Sequence, residues 1–212
     1  MEDTYQNFKS LSSVEKKGID FEIRIKKTKS RIAVIATHGG GIEPGTSEIA
    51  ESIAGDDFTC YLFEGIKNKD NKKYLHITST NFDEPECAEI CKNSDIVLAI
   101  HGAGDNDEVV YVGGRYKGLK QKMIDKLTEV GFNAKEDTTN HSGRDARNIC
   151  NKGMSMEGLQ VEISHGLRKK MFKGLSRKDR NYTRNVFNEF VKSIKSILQE
   201  EAVKKQFGIL IR

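Results

Sequence analysis

The segment His38-Gly39-Gly40-Gly41-Ile42-Glu43 places two metal-ligating side chains five residues apart. On a continuous helix that spacing separates them by roughly 140° of rotation. They converge on one ion only if the segment is irregular, and three glycines make it so while letting the backbone pass close to a ligand. His101 stands in a similar setting, after Asp95–Ile100 (DIVLAI) and before Gly102-Ala103-Gly104. Two imidazoles and one carboxylate, with a position left open for water, form a common catalytic zinc set. Read singly, His38 and His101 are each more economically core histidines and Glu43 a surface carboxylate; the pattern argues for the set. A further carboxylate, Glu162, lies in Leu159-Gln-Val-Glu-Ile-Ser164. If Val161 and Ile163 face a core, Gln160 and Glu162 face the other side of the strand. From the residues alone, Glu162 is equally a general base or a solvent-facing acid.

These residues need elements to hold them. Arg31–Thr37 (RIAVIAT) and Asp95–Ile100 read as buried central strands, with Phe58–Phe63 and Gly158–Ser164 as two more and Phe21–Ile25 as an edge strand. Thr46–Gly55, Glu84–Asn93 and Gly118–Val130 read as helices, and a long terminal helix runs from Asp179 to about Lys205. Alternating strands and helices predict a single α/β domain with a mixed, mostly parallel sheet flanked by helices. Residues 1–17 are expected to be a peripheral segment. In such sheets ligands bind beyond the carboxyl ends of the strands, and three predicted strands end at His38, His101 and Glu162.

The 212 residues suffice for one real core, and only 2 prolines beside 19 glycines exclude a proline-rich disordered chain. The apolar runs are far shorter than the about 20 residues a membrane helix needs. The start Met-Glu-Asp lacks a basic stretch followed by an apolar one, so no signal peptide is expected. Cys60, Cys87, Cys91 and Cys150 contain no CxxC pair and read as buried thiols of a reducing compartment. The net charge of +4 is too small for an obligate nucleic-acid binder. Between Arg168 and Arg184, however, eight Lys/Arg face one acid, Asp179, a local excess that favours a polyanion. His38–Gly41 also spells an HGGG oxyanion motif of serine esterases, but no GxSxG nucleophile elbow accompanies it.

Thr37–Ala50 (THGGGIEPGTSEIA), Ala99–Asp105 (AIHGAGD), Val110–Arg115 (VYVGGR), Asn148–Gly153 (NICNKG) and Gly158–Arg168 (GLQVEISHGLR) together resemble the phage and Bacillus poly-γ-glutamate hydrolases, within the zinc carboxypeptidase-like superfamily. The resemblance runs from about Gly18 to the C-terminus. It implies one zinc ion per chain at His38, Glu43 and His101, a catalytic Glu at 162, and hydrolysis of the γ-linked glutamate polymer of capsules. The chain departs from carboxypeptidases in two respects. Four residues separate its first His and Glu where theirs are separated by two, and no Arg lies between Glu43 and His101.

A polymer with one carboxylate per unit calls for bidentate arginines. Arg144 and Arg147, with Asn148, in the polar stretch Asn140–Asn148 are candidates, as is Arg168; pairing of the two loop arginines with Glu136 and Asp145 is the competing arrangement. His76, His141 and His165 have no evident partner in the sequence. Two other readings stay open: a zinc-dependent deacylase of a small N-acyl amino acid, and a non-catalytic polyanion-binding module. No nucleic-acid or membrane partner is expected. The expected location is the cytoplasm, with lysis as the route to an external polymer if the gene is viral.

Overall fold

Residues 32–36 and 96–100 are wholly apolar, and burial on both faces is what such runs require. A computed structural model, which describes residues 3–139 and 142–206, places both in the middle of one sheet. In chain order the elements are α1 (Phe8–Ser12), β1 (Phe21–Lys26), β2 (Ile32–Gly40), α2 (Thr46–Ala54), β3 (Thr59–Gly65), α3 (Asn71–Leu75), α4 (Pro85–Lys92), β4 (Ile96–Ala103), β5 (Val110–Gly114), α5 (Lys117–Glu129), β6 (Ala134–Glu136), β7 (Leu159–Ser164), α6 (His165–Met171) and α7 (Asn185–Gln206). The strand order is β1-β3-β2-β4-β7-β5-β6. The neighbours β3, β2, β4 and β7 run parallel; β1 is antiparallel to β3 and β5 to β7, while β5 and β6 are parallel. This is the α/β arrangement with a mixed sheet expected from the element pattern.

Alternate residues of the central strands feed two cores. Val34, Ala36, Leu98, Ile100, Val161 and Ile163 pack with α2, α5 and α7. Ala33, Ile35, Val97 and Ala99 pack with Leu11 of α1 and Cys87, Ile90 and Cys91 of α4. The four cysteines are buried and free. Among the described residues no helix is long and apolar enough to cross a membrane.

Three expectations change. The segment before Gly18 is not peripheral: Leu11 is fully buried, and the Phe8 ring packs edge-on against Phe21 and Phe63. The terminal helix starts at Asn185; Asp179–Asn181 is a short 3-10 turn, and Thr183 bridges to Phe172 in extended form. The stretch 179–184 carries no apolar residue at helical spacing, so nothing draws it onto the core as helix. Finally, β2 and β4 continue past the apolar runs through His38 and His101. Glycine is required at 39, because a Cβ there would meet the Ser47 hydroxyl and lie 2.9 Å from the Phe63 carbonyl.

Candidate metal centre and active site

Because β2 and β4 are parallel neighbours, their carboxyl ends bring His38 and His101 side by side. The His38 Nε2 lies 2.9 Å from the carbonyl of Ile77. A carbonyl only accepts, so Nε2 carries the proton and Nδ1 presents a lone pair. That Nδ1 is 3.1 Å from Nδ1 of His101, whose Nε2 is 3.4 Å from the Ser79 hydroxyl. Glu43 completes the triangle, with Oε1 3.4 Å from His38 Nδ1 and Oε2 3.7 Å from His101 Nδ1. The Gly102 amide donates to Glu43 Oε2 at 2.8 Å and fixes the carboxylate. Burial alone would raise the Glu43 carboxyl, yet the two histidines hold it well below the usual carboxylate range. All three side chains are buried. Two facing imidazole nitrogens and an ionised carboxylate, with their outer ring nitrogens held by hydrogen bonds, suit a bound zinc ion.

His76 also reaches this cluster. Together with His38 and Glu43 it offers ligand atoms within 4.8 Å of one another. Its ring, however, stacks on His38, with centroids 4.1 Å apart and planes inclined by 31°. His38 and His101 instead meet edge to face, with planes inclined by 61° and their Nδ1 atoms 3.1 Å apart. The His76 Nδ1 is already 2.6 Å from Asp3 Oδ1. Burial, then the neighbouring His38, pushes the His76 imidazole down to about 4. In this structure His76 thus packs on His38 and is held by Asp3. The sequence gives no sign of this partner, since Asp3 and His76 are far apart in the chain.

Glu162 stands in register with His101 across the parallel β4–β7 pair. Its Oε1 accepts from Gln160 Nε2 at 2.9 Å, and Gln160 Oε1 accepts from Asn148 Nδ2 at 3.0 Å. The Asn148 Oδ1 in turn accepts from the Cys150 amide at 3.1 Å. The half-buried Glu162 carboxyl is pushed up to about 8, by burial first and by the Glu43 charge second. Asn148, expected as a substrate contact, is buried and spends both ends of its amide on this network.

The arginines occupy three different settings. Arg168 is buried, so substrate contact gives way to an internal clamp. Its Nε, Nη1 and Nη2 donate to the carbonyls of Ile163 (3.0 Å), Pro44 (2.6 Å) and Ala103 (2.9 Å), tying together the chain at the ends of β7, β2 and β4. Arg144 and Arg147 are exposed and pair with Glu136 and Asp145, each at 2.7 Å. Contact with substrate carboxylates would require them to exchange those partners. The basic run 168–184 is not one free surface: Arg180 is buried against Glu48 at 2.6 Å, and Lys170 pairs with Glu108. His165 opens α6, half-buried, and His141 and Asn140 lie outside the described residues.

A mixed α/β sheet that brings a candidate metal centre and a neighbouring carboxylate to its carboxyl edge is the arrangement of a metal-dependent hydrolase. The chain belongs to the poly-γ-glutamate hydrolase family, which it matches over residues 5–193. Protein YndL of Bacillus subtilis (strain 168) is 40% identical over 192 residues, spanning 89% of this chain and 75% of the relative. The structure of a bacteriophage poly-γ-glutamate hydrolase superposes with a TM-score of 0.91 at 29% identity, covering 94% of this chain and 98% of the other. A zinc-free structure of YndL gives 0.90 at 37% identity, covering 94% and 99%.

Proposed function

We propose that this protein is a zinc-dependent hydrolase that cleaves the γ-glutamyl amide bonds of poly-γ-glutamate. The observation that carries the reading is the convergence of His38 Nδ1, His101 Nδ1 and Glu43, with Glu162 registered beside His101. His38, Glu43 and His101 would hold one zinc ion per chain. Zinc, when bound there, supplies a Lewis acid for the scissile carbonyl and lowers the pKa of water.

Glu162 takes the proton of the attacking water and passes it to the leaving amine. The water oxygen joins the γ-carbonyl carbon, the C–N bond breaks, and a γ-carboxylate and an α-amine part. Gln160 and Asn148 hold the Glu162 carboxylate in place through this exchange. Arg168 keeps the three strand ends at a fixed separation, so that base and metal ligands stay aligned. The existence of a zinc-free structure of YndL and the family's description support the assignment of metal and substrate.

The test is to incubate the protein with poly-γ-glutamate, with and without a chelator, and to size the polymer. Shortening that the chelator stops and added zinc restores is the expected result. A polymer of unchanged length with zinc-loaded protein would overturn the assignment.

A further inference from the structure

The sheet carries its chemistry beyond Glu162. Tyr111 on β5 is the antiparallel register partner of Glu162, and Lys135 on β6 is the parallel partner of Tyr111. Register partners point to the same face. The row His101, Glu162, Tyr111, Lys135 therefore crosses four adjacent strands on one side of the sheet. On the opposite side, Ile100, Val161, Ile163, Val110 and Val112 enter the core beneath α5 and α7. At about 4.8 Å per strand the row extends roughly 14 Å from His101 to Lys135. Accessibility rises along it: His101 is buried, Glu162 and Tyr111 are half-buried, and Lys135 is exposed. The row is thus a way from the metal centre to solvent.

Its outer end is cationic. The Lys135 Nζ lies over the Tyr111 ring, 5.0 Å from the centroid. Among the described residues Lys135 makes no ion pair, whereas Lys120 and Arg144 are both committed to Glu136 and Arg147 to Asp145. Acidic groups flank the row. Asp137 is buried and accepts from the Thr139 amide and hydroxyl at 2.8 and 2.6 Å. Burial first, then the nearby charge of Asp105, pushes the Tyr111 hydroxyl up, with Asp107 adding to it. An anion on this path therefore meets acidic flanks and, at Lys135, a cation that makes no ion pair among the described residues, which favours binding there over binding elsewhere along the row.

We propose that Tyr111 and Lys135 form a carboxylate-binding subsite that seats the glutamyl unit next to the scissile bond, an inference that rests on the function proposed above. The Tyr111 ring supplies an apolar floor for the methylene stem of that unit. Lys135 takes its α-carboxylate.

The experiment compares zinc-loaded wild type, Lys135→Met, Tyr111→Phe and a control, Lys126→Met, whose ammonium pairs with Glu129 on the exposed side of α5. Steady-state constants on poly-γ-glutamate are measured together with binding of a short γ-glutamyl oligomer to the Glu162→Gln protein, with and without Lys135→Met. An exposed charge pair corresponds to a KM increase of about fivefold for Lys135→Met, with kcat within about twofold and oligomer Kd raised in parallel. Tyr111→Phe keeps the floor and should change KM less than Lys135→Met, and Lys126→Met should match wild type. Cleavage by wild type with KM and Kd unmoved in Lys135→Met overturns the subsite alone. Oligomer binding through Lys135 without cleavage by wild type keeps the subsite and overturns the function. A wild type that neither cleaves nor binds overturns both.

Discussion

Replacing Glu162 by Gln separates chemistry from architecture at this site. Glutamine has the same size, and its carbonyl oxygen can still accept from Gln160 Nε2, which bonds Glu162 Oε1 at 2.9 Å. What it loses is the capacity to ionise and take a proton. General-base catalysis contributes about 10²–10⁴ in rate, or roughly 2.7–5.5 kcal/mol of barrier. The three proposed zinc ligands are untouched, so zinc content should match wild type. Stability should move the other way. In the metal-free protein burial and the Glu43 charge raise the Glu162 carboxyl to about 8, against an ordinary value of 4.5. Over that window the folded state holds the proton more tightly than the unfolded chain, so this group's contribution falls as pH rises from 4.5 to about 8. Glutamine has no charge to bury, and metal-free Glu162→Gln should melt at or above wild type at pH 8. The assay is turnover from release of free amine, zinc by elemental analysis and melting temperature, all on one preparation. A folded, zinc-loaded variant within about tenfold of wild-type turnover would fall short of the general-base factor and remove Glu162 from the mechanism.

Two further outcomes follow from the geometry. His38→Ala and His101→Ala should each lose the zinc that wild type retains after dialysis, whereas His76→Phe, which keeps a ring stacked on His38, should retain it; elemental analysis showing full zinc in His101→Ala and none in His76→Phe would exchange the roles of the two residues. Arg168→Ala leaves three strand-end carbonyls without their donor. A buried acceptor left without its donor costs about 1–3 kcal/mol, so the three together lower Tm by about 10 °C for a chain of this length, readable by calorimetry.

The parts of this molecule that were legible are those in which chemistry and pattern lie on the same short stretch of chain. Arg31–Thr37 and Asp95–Ile100 are β-branched runs long enough for one buried strand each, and each runs directly into a histidine, so the strand and its loaded end were read together. The helix expected at Gly118–Val130 forms over Lys117–Glu129 because its apolar residues recur at helical spacing. Neither β5 nor β6 was expected. Val110–Gly114 ends in two glycines, and Ala134–Glu136 is only three residues long with one apolar side chain. Arg168 looked like a substrate contact because it follows the Glu162 strand closely, but one of its three acceptors, the Pro44 carbonyl, comes from the other end of the chain.

The sheet order explains why the site's reach beyond Glu162 could not be read in advance. β7 is the last strand in the chain, yet it lies between β4 and β5. That insertion puts Glu162 beside His101 on one side and beside Tyr111 on the other. Alternation along a strand tells which face a residue takes, but it does not tell which strand comes next or in what register. A one-residue slip of β5 against β7 would turn Tyr111 into the core and bring Val110 or Val112 out beside Glu162. The apolar demand of α5 and α7 on Val110 and Val112 sets against that slip. The packing that stabilises one face of the sheet is therefore also what aligns the polar row on the other, and the reach of the active site is a consequence of the core beneath it.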